Sequence, residues 1–122
     1  MNPKILCLLK RRPDLSRTQF KAYYEEKHAP LIARILPFYR EFRRNFLVDN
    51  QDYRPSHLDN KVEYDPGFDV VTESTFDSQQ EYEKLVATLS DPGTSTVIRE
   101  DEDNFLDRSK MTVYIVEECK TV

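Results

Sequence analysis

The order of apolar periodicities along this chain restricts its fold more than any other feature. A short apolar run comes first, then a helical pattern, two alternating stretches, a second helical pattern and a last alternation. The run KILCLLK, Lys4 to Lys10, is too short for a stable helix and ends in a basic cluster before Pro13, which predicts a buried strand. A helix start follows. Ser16 as N-cap with Gln19 at N3 forms a capping box, and Leu15 with Phe20 forms a hydrophobic staple. Phe20, Tyr23, Tyr24, Leu31, Ile32 and Ile35 continue at helical spacing. Pro30 has no N–H to give the carbonyl of Glu26, so the helix should kink or restart just after His28.

From Phe38 to Val48 the chain alternates, with Phe42 and Phe46 on one face and Glu41, Arg43, Asn45 and Leu47 on the other. Phe68 to Phe76 alternates again: Val70, Thr72, Ser74 and Phe76 oppose Asp69, Val71, Glu73 and Thr75. Between them, Asp49 to Gly67 is longer than ordinary connections and is expected to be a functional or mobile loop. Asp77 or Ser78 caps a helix whose Tyr82, Leu85, Val86 and Leu89 share one face. Asp91-Pro92 opens a further helical piece, and Lys110 to Glu118 alternates as a final strand.

The order β, α, β, β, α, β predicts an α+β fold, the ferredoxin-like split βαβ sandwich: a four-stranded antiparallel sheet with helices on one face. The other face carries Val71, Leu47 and apolar groups of the first strand. Left bare it would be a sizeable patch, so a homodimer closing a dimeric α/β barrel is expected.

One domain, residues 1–122, accounts for this length. Eighteen Lys and Arg against 22 Asp and Glu give a net charge of −4, which argues against broad nucleic-acid binding. No apolar window reaches the ~20 residues of a membrane span, and Met1 to Lys10 lacks the features of a secretory signal; a soluble, cytoplasmic protein is expected, with no membrane partner. Cys7 and Cys119 have no C-x-x-C spacing and read as reduced thiols. With two His and no Cys-His or H-E-x-x-H pattern, no metal site is expected, and no motif for a nucleotide cofactor or a serine hydrolase is present.

Two residues stand out chemically. His28 lies at the predicted helix break, where carbonyls freed by Pro30 would favour its protonated form, and Tyr24 lies one turn earlier on the same face. A structural histidine bonded to a freed carbonyl is the competing reading. Glu73 sits mid-strand, with Arg43 and Asn45 as the expected cross-strand partners. A desolvated Glu73 would be a base, whereas pairing with Arg43 would only order the sheet. His57, in the long loop, reads as solvated. So do the strand end Lys10 to Arg12 and the acidic run Glu100 to Asp103, taken as an exposed helix face.

The blocks LLKRRPDLSRTQFKAYYEEKHAPLI, YREFRRNF, FDVVTESTFDSQQEYEKL and EDEDNFLDRSK, in this order, resemble the EthD family of the dimeric α/β-barrel superfamily. The resemblance covers nearly the whole chain except Asp49 to Gly67. It implies a ferredoxin-like protomer that pairs its sheet with a second copy, His28 as the family's helix histidine and Glu73 as its strand-three acid. Thr75 and Tyr24 stand where large aromatics, often Trp, are common in the family.

The resemblance leaves the reaction open; the leading expectation is a cofactor-independent lyase or isomerase acting on a small hydrophobic molecule, aromatic or ether-derived. His28 would be general acid/base, Glu73 a second acid/base or orienting group, and Arg43 with Asn45 would stabilise an oxyanion. Tyr24, Val71, Thr75 and Leu47 are the expected substrate contacts. Two alternatives stay open: a non-catalytic protein that binds hydrophobic ligands for an oxygenase system, and a monooxygenase that is cofactor-free or carries haem on His28.

Overall fold

The computed structural model describes residues 3–51 and 66–122, so the long loop and His57 lie largely or wholly outside the described residues. Four strands, β1 (Lys4–Leu9), β2 (Glu41–Phe46), β3 (Val70–Thr75) and β4 (Thr112–Val116), form one sheet in the order β2-β3-β1-β4. Every pairing is antiparallel. The helices α1 (Arg17–Tyr23), α2 (Ala29–Ile35), α3 (Gln79–Leu89) and α4 (Pro92–Glu102) complete the expected α+β, ferredoxin-like arrangement.

Helix starts follow their caps. The Gln19 N–H donates to Ser16 Oγ at 3.1 Å and the Ser16 N–H to Gln19 Oε1 at 2.9 Å, closing the predicted box. Ser78 caps α3 and Asp91 caps α4, with Pro92 in the first turn where its missing N–H costs nothing. Between α1 and α2 the chain widens into a π-helical turn, Tyr24–His28. The cause is Pro30: it cannot bond the Glu26 carbonyl, and the Ala29 N–H instead reaches back five residues to Tyr24 O. Arg44 of β2 grips Glu25 in this turn through two bonds of 2.9 and 3.2 Å, tying it to the sheet.

The helix layer covers one side of the sheet, the side of Ile5, Cys7, Leu9, Phe42, Phe46, Val70, Thr72 and Ser74. Two packed clusters hold it there. One gathers Leu9, Phe20, Tyr24, Val70, Phe105 and Leu106; the other gathers Ile32, Leu36, Phe76 and Leu85. Phe105, fully buried, touches the rings of Phe20, Tyr23, Tyr24 and His28. Burying such a side chain is worth about 1.5–3 kcal/mol.

The basic cluster at the end of β1 differs from the expected solvated strand end. Arg11 donates its N–H and Nε to Asp69 at 2.9 and 3.3 Å, Arg17 Nε lies 3.3 Å away and Lys10 Nζ 3.9 Å away. Asp69 is buried, and a buried carboxylate needs such partners. Only Arg12, paired with the exposed Asp14, fits the solvated reading. No helix among the described residues is long and apolar enough to cross a membrane.

Candidate functional site

The two clusters leave space between them. A cavity of about 220 Å³ opens between the helix layer and the sheet, with apolar walls that include Ile5, Leu9, Ile32, Leu36, Leu85 and Ile98. Its polar groups are Tyr24, Tyr39, Thr72 and Ser74, with His28 and Glu102.

His28 ends the π-helical turn, which presents it and Tyr24 together to this space; their rings meet edge to face at 5.5 Å. Its Nδ1 lies 2.7 Å from Asp101 Oδ2 on α4. A carboxylate can only accept, so the proton sits on Nδ1 and Nε2 keeps its lone pair for a ligand. Asp101 is itself held: the Tyr23 hydroxyl donates to Oδ1 at 2.7 Å, and Asn104 Nδ2 donates to that hydroxyl oxygen at 2.9 Å. Burial pushes the His28 pKa below its ordinary value, against the opposing pull of Asp101. The expected protonation by freed carbonyls is therefore corrected: the imidazole is buried, its partner is a carboxylate from a distant helix, and desolvation wins.

Tyr24 Oη and Thr72 Oγ1 share a hydrogen bond of 2.7 Å, and burial raises the phenol's pKa, keeping it a neutral donor. Burial likewise raises Tyr39. Cys7, in the cavity wall, is pushed up to about 11 by burial and so is a poor nucleophile. Glu102 is also raised, chiefly by burial, with Arg108 Nε at 3.5 Å opposing. The acidic run is thus not the exposed face read from sequence. Asp101 and Glu102 turn inward, whereas Glu100 and Asp103 stay exposed.

The remaining sequence-selected residues lie elsewhere. Glu73, Arg43, Asn45, Val71, Thr75 and Leu47 occupy the opposite face of the sheet. Thr72 and Ser74, which flank Glu73 in sequence, point to the helices, so within one protomer Glu73 and His28 are on two sides of one layer. Grouping them in one site is corrected on this ground. Glu73 does face Arg43 in register and accepts from Asn45 Nδ2 at 3.2 Å. Its nearest cation is Lys4, at 3.1 Å, and that hydrogen bond leads the causes that lower its pKa. Arg43 pairs instead with Glu41 at 2.6 Å.

Of these, Lys4, Glu41, Arg43, Glu73 and Thr75 line a broader depression of about 700 Å³, whose charges largely neutralise one another and where Thr75 Oγ1 is buried without a hydrogen-bond partner among the described residues. Lys4 there also bonds Glu118. Among the described residues no group of three or more His, Cys, Asp or Glu could hold a metal ion.

Sequence reasoning missed Asp101, Glu102, Tyr23 and Tyr39. A signal for the first two was present: acidic residues close α4, where the helix dipole disfavours them, and such a cost invites a functional explanation.

Comparison with known proteins fits this architecture. The conidial pigment biosynthesis dehydratase EthD of Metarhizium robertsii is 28% identical, over 92% of this chain and 81% of that protein. An ethyl tert-butyl ether D (EthD) family protein of Bacillus halodurans superposes with a TM-score of 0.60 at 19% identity, covering 98% of this chain and 100% of that one. The hydroxynitrile lyase of Passiflora edulis does so with a TM-score of 0.57 at 18% identity, covering 98% and 97%. At such identities the two structures speak for the fold. The EthD domain model matches residues 12–109, from the strand end through α4 and its inward carboxylates, and the chain belongs to the EthD family.

Proposed function

We propose that the cavity carries out lyase-type acid/base chemistry, the elimination of water from a small apolar substrate, with His28 as the proton-transferring group. The observation that carries this reading is the 2.7 Å bond from His28 Nδ1 to Asp101 at the wall of a largely apolar cavity. Burial keeps the imidazole neutral, so Nε2 is ready to act as a base near neutral pH. Nε2 takes a proton from the carbon beside the one bearing the hydroxyl, and the electron pair of that C–H bond forms the double bond as the C–O bond breaks. The departing oxygen takes the proton back and leaves as water. Asp101 stabilises the imidazolium that exists in between. The hydroxyl pair Tyr24 and Thr72 offers a neutral donor to a substrate oxygen.

The name of the fungal relative, a dehydratase, supports elimination of water, and the passion-fruit neighbour is a lyase by name. Glu73, Arg43 and Asn45 belong in this reading to the open face and not to proton transfer. That face, with Leu6, Leu8, Val71 and Leu47, is read as the contact for a second copy; sizing should return a mass near twice 14.5 kDa, and a monomer would remove this part.

The test is a histidine NMR titration of wild type beside Asp101→Asn, with His28→Gln for assignment, and turnover of a panel of hydroxylated ring compounds. The His28 pKa should fall when Asp101 loses its charge. An unmoved pKa, or a folded His28→Gln protein as active as wild type, defeats the proposal.

A further inference from the structure

We infer that Glu102 is a specificity-determining residue, which makes the cavity a site for uncharged, hydroxylated ring compounds and shuts out carboxylates of the same size. The inference rests on the cavity being the substrate site. Among the described residues that line it, none is Lys or Arg, and Glu102 is the only carboxyl group. Its side chain is 15% exposed. The countercharge, Arg108, is itself 37% exposed, stands 3.5 Å away and also faces Asp103 at 3.9 Å. Asp101, the other inward carboxylate, accepts from Tyr23 and His28 and adds a second negative group behind the histidine.

The C-terminal end of α4 adds its own partial negative charge to this cluster. A ligand carboxylate here would meet a negative field in an apolar space with no Lys or Arg among the described lining residues and with His28, the one basic side chain there, paired to Asp101 through Nδ1. A ligand hydroxyl meets the reverse: Glu102 accepts its hydrogen bond, and Tyr24, Thr72 and Ser74 supply further hydroxyl partners. Size sets the other limit. A cavity of ~150 Å³ holds benzene, so about 220 Å³ admits a ring system somewhat larger, of one or two fused rings.

The test compares β-naphthol with β-naphthoate, equal in ring size and different in charge, by NMR titration at neutral pH against wild type, Glu102→Gln and Glu102→Met. Wild type should bind the naphthol at least about tenfold more tightly. Both variants should lose most of that ratio, mainly by gaining affinity for the naphthoate. Two variants of similar volume guard against one that does not fold. Equal affinities in wild type, a ratio that survives both substitutions, or no naphthol binding at millimolar concentration overturns the inference. The His28 ring signals separate this from the reading beneath it. Naphthol that binds without moving them defeats the cavity as substrate site, whereas naphthol that moves them with a ratio indifferent to Glu102 defeats the charge selection alone.

Discussion

The two faces of the sheet hold similar side chains in opposite states. On the open face Glu73 is bonded to Lys4 and Asn45, which together hold its carboxyl below the ordinary range. Under the helices Glu102 is pushed above that range, because burial outweighs a single cation at 3.5 Å. The difference lies in the partners and the access to water, not in the residue type. Paired charges near water order a surface. Polar groups in the apolar cavity, such as His28 on Asp101 and Tyr24 on Thr72, have their pKa values set chiefly by burial.

Substitutions on the two faces should separate these roles. The largest contrast is in activity: His28→Gln should cost about 10²–10⁴-fold in kcat on any substrate the protein turns over, whereas Glu73→Gln should stay within about threefold. Comparable losses in steady-state kinetics would erase the distinction. In stability, Phe105→Ala removes a fully buried ring that touches His28 and should cost about 3–5 kcal/mol in denaturant unfolding. Tyr114→Phe, on the open face at 53% exposure, should cost less than about 0.5 kcal/mol. Val71→Asp on the open face should leave the protomer folded and halve the mass seen by sizing, if a second copy covers that face.

Smaller effects follow from pH. His28 has its folded pKa below the ordinary 6.5, so the unfolded chain takes up the proton first as pH falls. Its contribution is fully present above 6.5 and is lost as pH drops through the lower folded value. Thermal unfolding of wild type should therefore weaken on acidification more than that of His28→Gln. Glu102 runs the other way. Its raised pKa favours the folded state below the ordinary 4.5, and that advantage is lost as pH rises through the folded value. At neutral pH the ionised group is a burden, and Glu102→Gln should raise Tm by about a few degrees. A lower Tm would show that the Arg108 pair outweighs desolvation.

Much of the fold was legible because it depends on local periodicity. Ser16 and Gln19 announce α1, Pro30 announces the break after His28, and alternation in Phe68 to Phe76 separates Thr72 from Glu73. The same alternation already set Glu73 opposite Phe76, which packs under the helices; only the resemblance drew Glu73 toward His28. The site was half legible. His28 and Tyr24 stand out through spacing, but Asp101 lies 73 residues from His28 in sequence, inside a run that reads as solvated charge.

What the chain order determined by itself was the sheet, its helices and the histidine at the helix break, since caps, prolines and period-two patterns act between near neighbours. Which carboxylate meets that histidine was decided only in three dimensions. The packing of α4 against the π-helical turn brings Asp101 onto His28 and takes Glu102 largely out of water, and that burial, not sequence neighbourhood, raises the pKa of Glu102.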